Sequence, residues 1–492
     1  MGKLCLKIIN YKILCFLIVI LIQIFFISNI QAEDLPKIKK VELFQDKDSS
    51  RVFISLTKPI DKLPLVMATL KTVLFDLDAV CKTKQERRNR KHEDREGNKP
   101  EIVSGGFVDK VMWRQVLDKT SFEIKRKYYT PVSVVKKDKP DVIVVELERN
   151  YFKKESWELK PGITKHLIRA ENSRGPVAAN VLEIDLANKD ISVKVGLPHK
   201  EKLKTKDKLT NIVKNEMAYA GINANYFDVK IGNPLGLLIT SGELVVGPIY
   251  DRVAIGFTDD KKTLVDCLML TGIVTVSRGF RKKEVSTFDI DGFNTPFHLY
   301  NMAGLFNSKW DEKLELGENI QGTVLKKNCV KKLVKEKSEI PKDGYVLALK
   351  DKGLLKKRDC LKIAWQMEPD WSEVKEAISG GPYLIMNGEV YIDDEKEHFK
   401  FAKKDTYAPR TAIGIGKNEK LYLIAVDGRN NGYSVGLTLT ELAEFLNKLD
   451  LKDAINLDGG GSTELVVDGK IINKLNEHHE RKISSALLIF YK

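Results

Sequence analysis

Cysteine and histidine are scarce in this 492-residue chain, and neither falls where a metal would need it. The six cysteines and seven histidines are scattered, with no CxxC pair and no His/Cys cluster. That pattern offers no zinc-finger ligand set and no histidine-rich two-metal centre for attack on phosphorus. His478 and His479, beside Glu480, read as an exposed polar turn. Cys5 and Cys15 fall in the N-terminal apolar segment, leaving Cys81, Cys267, Cys329 and Cys360, too few for a disulfide scaffold in so long a chain. Cys329 with Cys360 is a candidate pair, and buried free thiols are the alternative. Long apolar runs are as rare: only residues 13–30 form one, so no later stretch is expected to cross a membrane.

That single run follows Lys3, Lys7 and Lys12 and precedes the small Ala32, which is the layout of an export signal over residues 1–32. Export to a periplasm or cell envelope, or secretion, is therefore expected. Cleavage is favoured over retention as an uncleaved anchor, and only in the anchored case would the chain touch a membrane. An acidic balance is also missing. Lys and Arg total 82 against 68 acids, a net +14, which suits anionic wall polymers or lipid headgroups. No nucleic-acid partner is expected, because export removes the opportunity and no recognition motif appears.

Residues 33–155 hold short β-branched or aromatic runs at 41–44, 51–56, 73–77 and 141–147, separated by turn-rich or charged segments. They predict a small β-sandwich. Residues 82–100 interrupt it with eight bases and four acids, read as a solvated loop. The patterning of KKVELFQDKDSSRVFISLTKP and DVIVVEL resembles the AMIN domain, which implies targeting to cell-wall or other anionic envelope polymers through this N-terminal module.

Residues 161–492 contain an internal echo. INAN at 222–225 follows a helical stretch opening at Thr210, and INLD at 455–458 follows another opening at Thr438. Leu439, Leu442, Ala443, Leu446 and Leu449 share one face of the second helix, and Thr438 with Glu441 has capping-box spacing. LITSGE at 238–243 is echoed by LIMNGE at 384–389, and each precedes Arg-x-Ala-Ile-Gly, at Arg252 and Arg410. Hairpins turning on Ser-Gly and Asn-Gly fit both. The fold class expected is α+β, a mixed-sheet catalytic module with pseudo-repeated halves behind the β-sandwich, with Asn225 and Asp458 in equivalent places facing one cleft.

Two buried-strand runs end in polar residues, at Asp427-Gly428-Arg429 and at Asp458-Gly459-Gly460-Gly461-Ser462-Thr463, and Ser379-Gly380-Gly381 is a further glycine loop. Strand ends followed by glycines are where α/β sites are built, because the backbone can approach a ligand and aim N–H groups at oxyanions. The segments NANYFD, ISGGPYLIMNGEV, APRTAIGIG, AVDGRNNGYSVGLTLTELAEFL and INLDGGGSTELVVDGKIIN together resemble the phosphodiester glycosidase family, in order over about the last 300 residues.

The resemblance implies hydrolysis of the C1–O bond of a sugar-1-phosphodiester such as a GlcNAc-1-phosphodiester. Positive charge then builds on the sugar, and the phosphate leaves as a weak base, so cations at the phosphate matter more than a strong acid. Arg410 and Arg429 are the expected phosphate ligands, with N–H donors from the loops at 380–381 and 459–461 and hydroxyls from Ser379, Ser462 and Thr463. Asp458 or Asp427 activates water or attacks C1, and Asn225 holds sugar hydroxyls or orients a carboxylate. Blander roles stand beside these: Arg410 as an ion-pair partner of Asp427, Asn223 and Asn456 as braces of loop backbone, and Glu441 as a helix cap. No cofactor is required by the sequence, and a hard cation such as calcium between Asp427 and Asp458 stays open. The competing readings are a metal-dependent phosphodiesterase cleaving P–O and a non-catalytic binder of anionic envelope polymers.

Overall fold

The computed structural model describes residues 35–492 apart from 47–48, 70, 82–100, 104–106, 138–140, 173, 297–298, 300–302, 351–352, 393–395, 400–405 and 478. The expected export signal, the basic loop 82–100 and His478 lie outside the described residues. Among those described, no helix is long and apolar enough to cross a membrane. The chain divides into two compact units, Met1–Tyr151 with Glu171–Pro176, and Phe152–Ala170 with Val177–Lys492.

The first unit is two antiparallel sheets. One contains Ile38–Gln45, Ser49–Leu56, Val142–Glu148 and Val132–Lys136; the other runs from Val66–Ala68 through Thr72–Leu77, Lys119–Arg126 and Val108–Val116 to Glu101–Val103. Alternation explains the pairing. Val52, Ile54 and Leu56 point inward from one sheet, and Val73, Phe75, Leu77, Phe122 and Ile124 from the other, in a single core. Phe75 and Phe122 stack with ring centroids 4.9 Å apart.

In the second unit, the elements that position the site are, in chain order, β1 (Phe152–Lys160), β2 (Ile163–Asn172), β3 (Gly175–Ile184), α1 (Leu209–Asn215), β4 (Ala220–Asn223), β5 (Arg410–Gly416), β6 (Leu421–Val426), α2 (Leu439–Asn447) and β7 (Leu451–Asn456). An eight-stranded sheet has the order β1-β2-β3-β6-β5-β7, then Tyr383–Met386 and Glu389–Val390. Its central strands are buried on both faces. Leu442, Ala443 and Leu446 of α2 pack with Val181, Ile424 and Val426 on one side, and Leu182, Leu423 and Ile455 pack with Ile222 and Ile255 on the other.

The pseudo-repeat is present in three dimensions. Each half runs helix, strand, then Asn225 or Asp458. Each hairpin turns on two residues in the left-handed region, Ser241 (φ 53°) with Gly242 (φ 77°) and Asn387 (φ 54°) with Gly388 (φ 82°), as a right-twisted hairpin requires. Strands of both halves meet in one core, where Ala220, Ile222, Leu238 and Ile255 join Tyr383, Ile413, Ile455 and Leu457. Helix α2 begins with the expected capping box: Thr438 accepts from the Glu441 N–H, and Glu441 accepts from the Thr438 N–H.

One feature lies outside the expectation. Met269–Arg278 through Cys360–Glu368 build a second eight-stranded sheet, mixed because Gly292–Phe293 runs parallel to Ala303–Phe306. Cys329 and Cys360 sit directly opposite each other on neighbouring strands of it and are joined as a disulfide. Cys81 and Cys267 are free thiols.

Candidate functional site

Strand β5 is the geometric key. It pairs antiparallel with both β6 and β7, so those two strands run the same way and end at the edge where β5 begins. Arg410 opens β5 there, Asp427 directly follows β6, and Asp458 follows β7 by two residues. Three of the four residues expected to be catalytic are gathered by sheet topology alone, and Arg429 joins them through the turn after β6.

Asp427 is buried, 2% exposed, yet lines an open cleft with Gly428, Arg429, Asn430, Tyr433, Lys474, Leu475 and Asn476. The cleft encloses about 330 Å³, its mouth included. One carboxylate oxygen, Oδ1, accepts from the Lys474 backbone N–H at 2.9 Å and from Asn473 Nδ2 at 3.3 Å. The other, Oδ2, has no well-formed hydrogen-bond partner among the described residues, although the Tyr433 hydroxyl stands near enough to favour its charged form. Burial wins over these donors and pushes the carboxyl up to about 6. A buried carboxylate held firmly by one oxygen, with the other left without a well-formed hydrogen bond, is a candidate to take a proton or approach an electrophile.

Arg429 is exposed and holds a left-handed backbone (φ 57°), a conformation that costs a long side chain energy and is concentrated at functional turns. Its guanidinium passes over Gly460, where an added Cβ would come within 3.7 Å of Nη2. Arg410 is half-buried; its Nε donates to Leu437 O at 2.9 Å and its Nη2 to Thr406 O at 2.7 Å. Burial and the nearby Arg429 charge both pull its pKa down. An anion beside both guanidiniums would offset that repulsion. No ion pair joins Arg410 to Asp427, which accepts from Asn473 and Lys474 instead.

Asp458 is half-buried beside this cleft and does not line it. Burial pushes it up to about 6 against the Ser462 hydroxyl, the Arg481 charge and the Gly459 N–H. The loop after it uses part of the expected donor set within the protein. Residues 460–462 form a 3-10 turn. Gly460 donates to Pro409 O, Ser462 to Gly459 O and Thr463 to Gly460 O, while the Thr463 hydroxyl meets Thr411. Gly460 is needed for its backbone (φ 64°), while a Cβ on Gly461 would meet only the movable ends of Arg481 and Glu477. The loop shapes the ground under Arg429, and the Gly460 N–H is taken by Pro409 O.

The same holds for the other glycine loop and for Asn225. Gly380 donates to Val253 O and Gly381 to Asn456 O. Asn225 is 2% exposed, and its amide nitrogen meets Leu237 O at 3.0 Å, Leu235 O at 3.3 Å and the buried Ser379 hydroxyl at 3.3 Å. These amide and N–H groups are engaged with carbonyls and hydroxyls of the protein itself. Asn223 and Asn456 hold loops as expected: Asn223 Nδ2 donates to Asp458 O at 2.5 Å, and Asn456 Nδ2 to Gly381 O at 3.0 Å. Arg252, the echo of Arg410, lies over Phe399 with its guanidinium 3.9 Å from the ring centroid, a packing role.

Tyr433, Asn473, Lys474 and Arg481 went unrecognised in the sequence. The Lys474 ammonium sits 4.8 Å from the centroid of Tyr433. Among the described residues no group of three or more His, Cys, Asp or Glu side chains gathers as metal ligands.

Behind the loop, Glu464 is buried, and its pKa is driven up to about 9 by burial and then by the neighbouring Glu480 carboxylate, which accepts from Thr210 N and Oγ1. Raised above its ordinary 4.5, the Glu464 carboxyl contributes stability that is complete below that value and lost as pH climbs through about 9. Glu464→Gln keeps the shape without the proton to lose. Its stability, read from melting curves, should match the wild type near pH 4.5 and exceed it increasingly toward pH 9, by on the order of 1–3 kcal/mol. Melting curves that differ by the same amount across that range would refute the raised Glu464 carboxyl.

Comparison with known proteins follows the same region. The sequence pattern of the phosphodiester glycosidase family matches residues 317–490, a stretch that holds Ser379, Arg410, Asp427, Arg429 and Asp458 but not Asn225. The N-acetylglucosamine-1-phosphodiester alpha-N-acetylglucosaminidase of Homo sapiens is 38% identical over 112 residues, 21% of this chain and 21% of that protein. The chain thus aligns with about a fifth of the length of that relative. A hypothetical protein from Synechocystis has a solved structure 20% identical to this chain, with a TM-score of 0.64 over 93% of this chain and 81% of its own. A protein of Burkholderia pseudomallei K96243 is 15% identical, with a TM-score of 0.54 over 93% of this chain and 97% of its own. At these identities the two structures share the fold.

Proposed function

We propose that this chain is an exported hydrolase that breaks the C1–O bond of a sugar-1-phosphodiester of the GlcNAc-1-phosphodiester kind in envelope or extracellular polysaccharide. The observation that carries the reading is Asp427, a buried carboxylate whose Oδ2 has no well-formed hydrogen-bond partner among the described residues, at a cleft lined also by Arg429 and Lys474. The similarity of residues 317–490 to phosphodiester glycosidases supports the reaction class. The apolar N-terminal run, and a disulfide of the kind that persists in oxidising compartments, support export.

In this mechanism the phosphate lies against Arg429, with Arg410 behind it, and the anomeric carbon faces Asp427. As the C1–O bond lengthens, negative charge gathers on the departing phosphate, where the guanidinium strengthens its hold, and positive charge gathers on the sugar, where the Asp427 carboxylate faces it. Asp427 then takes the proton of an attacking water, or forms the C1 bond itself as the phosphate leaves, an ester that water hydrolyses in a second step to free the sugar. Asp458 holds Ser462 and the turn on which Arg429 rests.

The test is product identity. The purified protein is incubated with a methyl diester of GlcNAc-1-phosphate and the products are followed by NMR. Free GlcNAc with methyl phosphate is expected. GlcNAc-1-phosphate with methanol would mean attack at phosphorus and would overturn the mechanism.

A further inference from the structure

We propose that the cleft is one end of a longer track over the outward face of β1 and β2, and that this track binds the continuing chain of a polyanionic glycan, a polymer of sugars joined by phosphodiesters. The inference rests on the cleft reading above and names its substrate as a polymer.

The track follows from strand alternation. Along β2, His166, Ile168 and Ala170 are buried on one face, while Lys165, Leu167 and Arg169 are half-exposed on the other. Strand pairing sets Trp157 of β1 beside Lys165 and Lys153 beside Arg169. Trp157 is 45% exposed, with the Lys165 ammonium 5.9 Å from its ring centroid. At the other end the Arg169 guanidinium lies 5.8 Å from the centroid of Tyr433, which lines the cleft with Asp427 and carries Lys474 on its ring.

The row therefore reads Trp157, Lys165, Arg169, Tyr433, Lys474, ending at Asp427. From Lys165 to Arg169 alone it spans about 13 Å at the rise of a strand, longer than one pyranose ring is wide. Aromatic faces alternating with cations match a polymer that alternates apolar ring faces with phosphates: flat rings accept sugar faces, and ammonium or guanidinium groups accept the anions. Glu155, paired with Leu167, is an acid on this face, outnumbered by Lys153, Lys165 and Arg169. The row is one residue wide and runs into the site where the diester would be cut, as a single threaded chain requires.

The experiment compares two substrates on the full protein and on Trp157→Ala/Lys165→Glu, a pair of side chains outside the cleft. One substrate is the methyl diester of GlcNAc-1-phosphate; the other is a polymer of GlcNAc-1-phosphate units. The double variant should leave kcat/KM on the methyl diester unchanged and raise KM on the polymer about tenfold or more, with kcat preserved. Added salt should raise the wild-type KM on the polymer and narrow the gap. Equal KM on the polymer for both proteins, or an equal loss on both substrates, overturns the track. Binding of the same polymer to wild type and variant is measured without turnover, beside neutral dextran. If neither substrate is cut but the polymer binds the wild type at least tenfold more tightly than the variant, the track stands and the catalytic reading falls. Equal binding of dextran and polymer to the wild type sinks the track.

Discussion

Asp427→Asn should lower kcat/KM on a GlcNAc-1-phosphodiester by about 10³-fold or more, the scale set by loss of a positioned acid–base or nucleophilic group. The same substitution should make the protein more stable at neutral pH. Burial raises the Asp427 carboxyl to about 6 from its ordinary 3.8, so its ionised form destabilises the fold. For an acid shifted upward, stability is complete below the ordinary value and is lost as pH rises through about 6. Asparagine can still accept the Lys474 and Asn473 hydrogen bonds through its oxygen and carries no charge to bury. The gain, on the order of 1–3 kcal/mol, should therefore vanish near pH 4 and reach a plateau above about pH 6. Loss of activity with a raised melting temperature is hard to obtain by damaging the fold, so the pair of readings isolates chemistry from structure. If the ionised carboxylate is the working form, wild-type kcat/KM should fall as pH drops below about 6. An Asp427→Asn protein of normal activity would move the reaction to another carboxylate, Asp458 first, whereas a flat acidic limb would count against both, since burial raises Asp458 to about 6 as well.

Arg429→Ala should cost about 10²–10³-fold in kcat/KM with little change in melting temperature, because the side chain is exposed and its work is on the substrate. Arg429→Lys should recover only part of the loss, since an ammonium cannot grip two phosphate oxygens at once. The contrast is Arg252→Ala. Its guanidinium lies on Phe399 and its Nε donates to Glu397 O, so the expected cost there is stability. Steady-state kinetics and melting curves on the three variants separate the two arginine roles. Normal turnover in Arg429→Ala would remove this guanidinium from the phosphate site.

Local chemistry was the legible part of this sequence. The capping box at Thr438 and Glu441 and the Ser-Gly and Asn-Gly turns are set by residues a few positions apart, and each forms as its side chains dictate. The strand-end aspartates were legible for a related reason: a buried apolar run must stop where a carboxylate and glycines begin. The direction of the loop N–H groups was not legible, because a glycine run permits both an open cradle and a 3-10 turn. Here Pro409 O, one strand away, claims the Gly460 N–H. Asn225 escaped for the same reason: only tertiary packing brings Ser379 and the carbonyls of Leu235 and Leu237 onto its amide. Tyr433 and Lys474 come from segments separated by 40 residues with no periodic signal. The sheet from Met269 to Glu368 was hidden because its strands alternate like those around them, and only the Cys329 and Cys360 pair hinted at it.

The doubled architecture has a consequence for how the protein tolerates change. Both copies supply a helix, a strand and a polar residue at its end. Asn225 in the first is walled in, while Asp458 in the second stands half-open beside the cleft. One copy has become a keel and the other a workbench. Random substitution should sort the same way: changes around Asn225 would appear as missing protein, and changes in the turn holding Asp427 and Arg429 as protein present but idle. New specificities would then be drawn from the loops that carry Tyr433 and Lys474, leaving the first copy almost fixed beneath them.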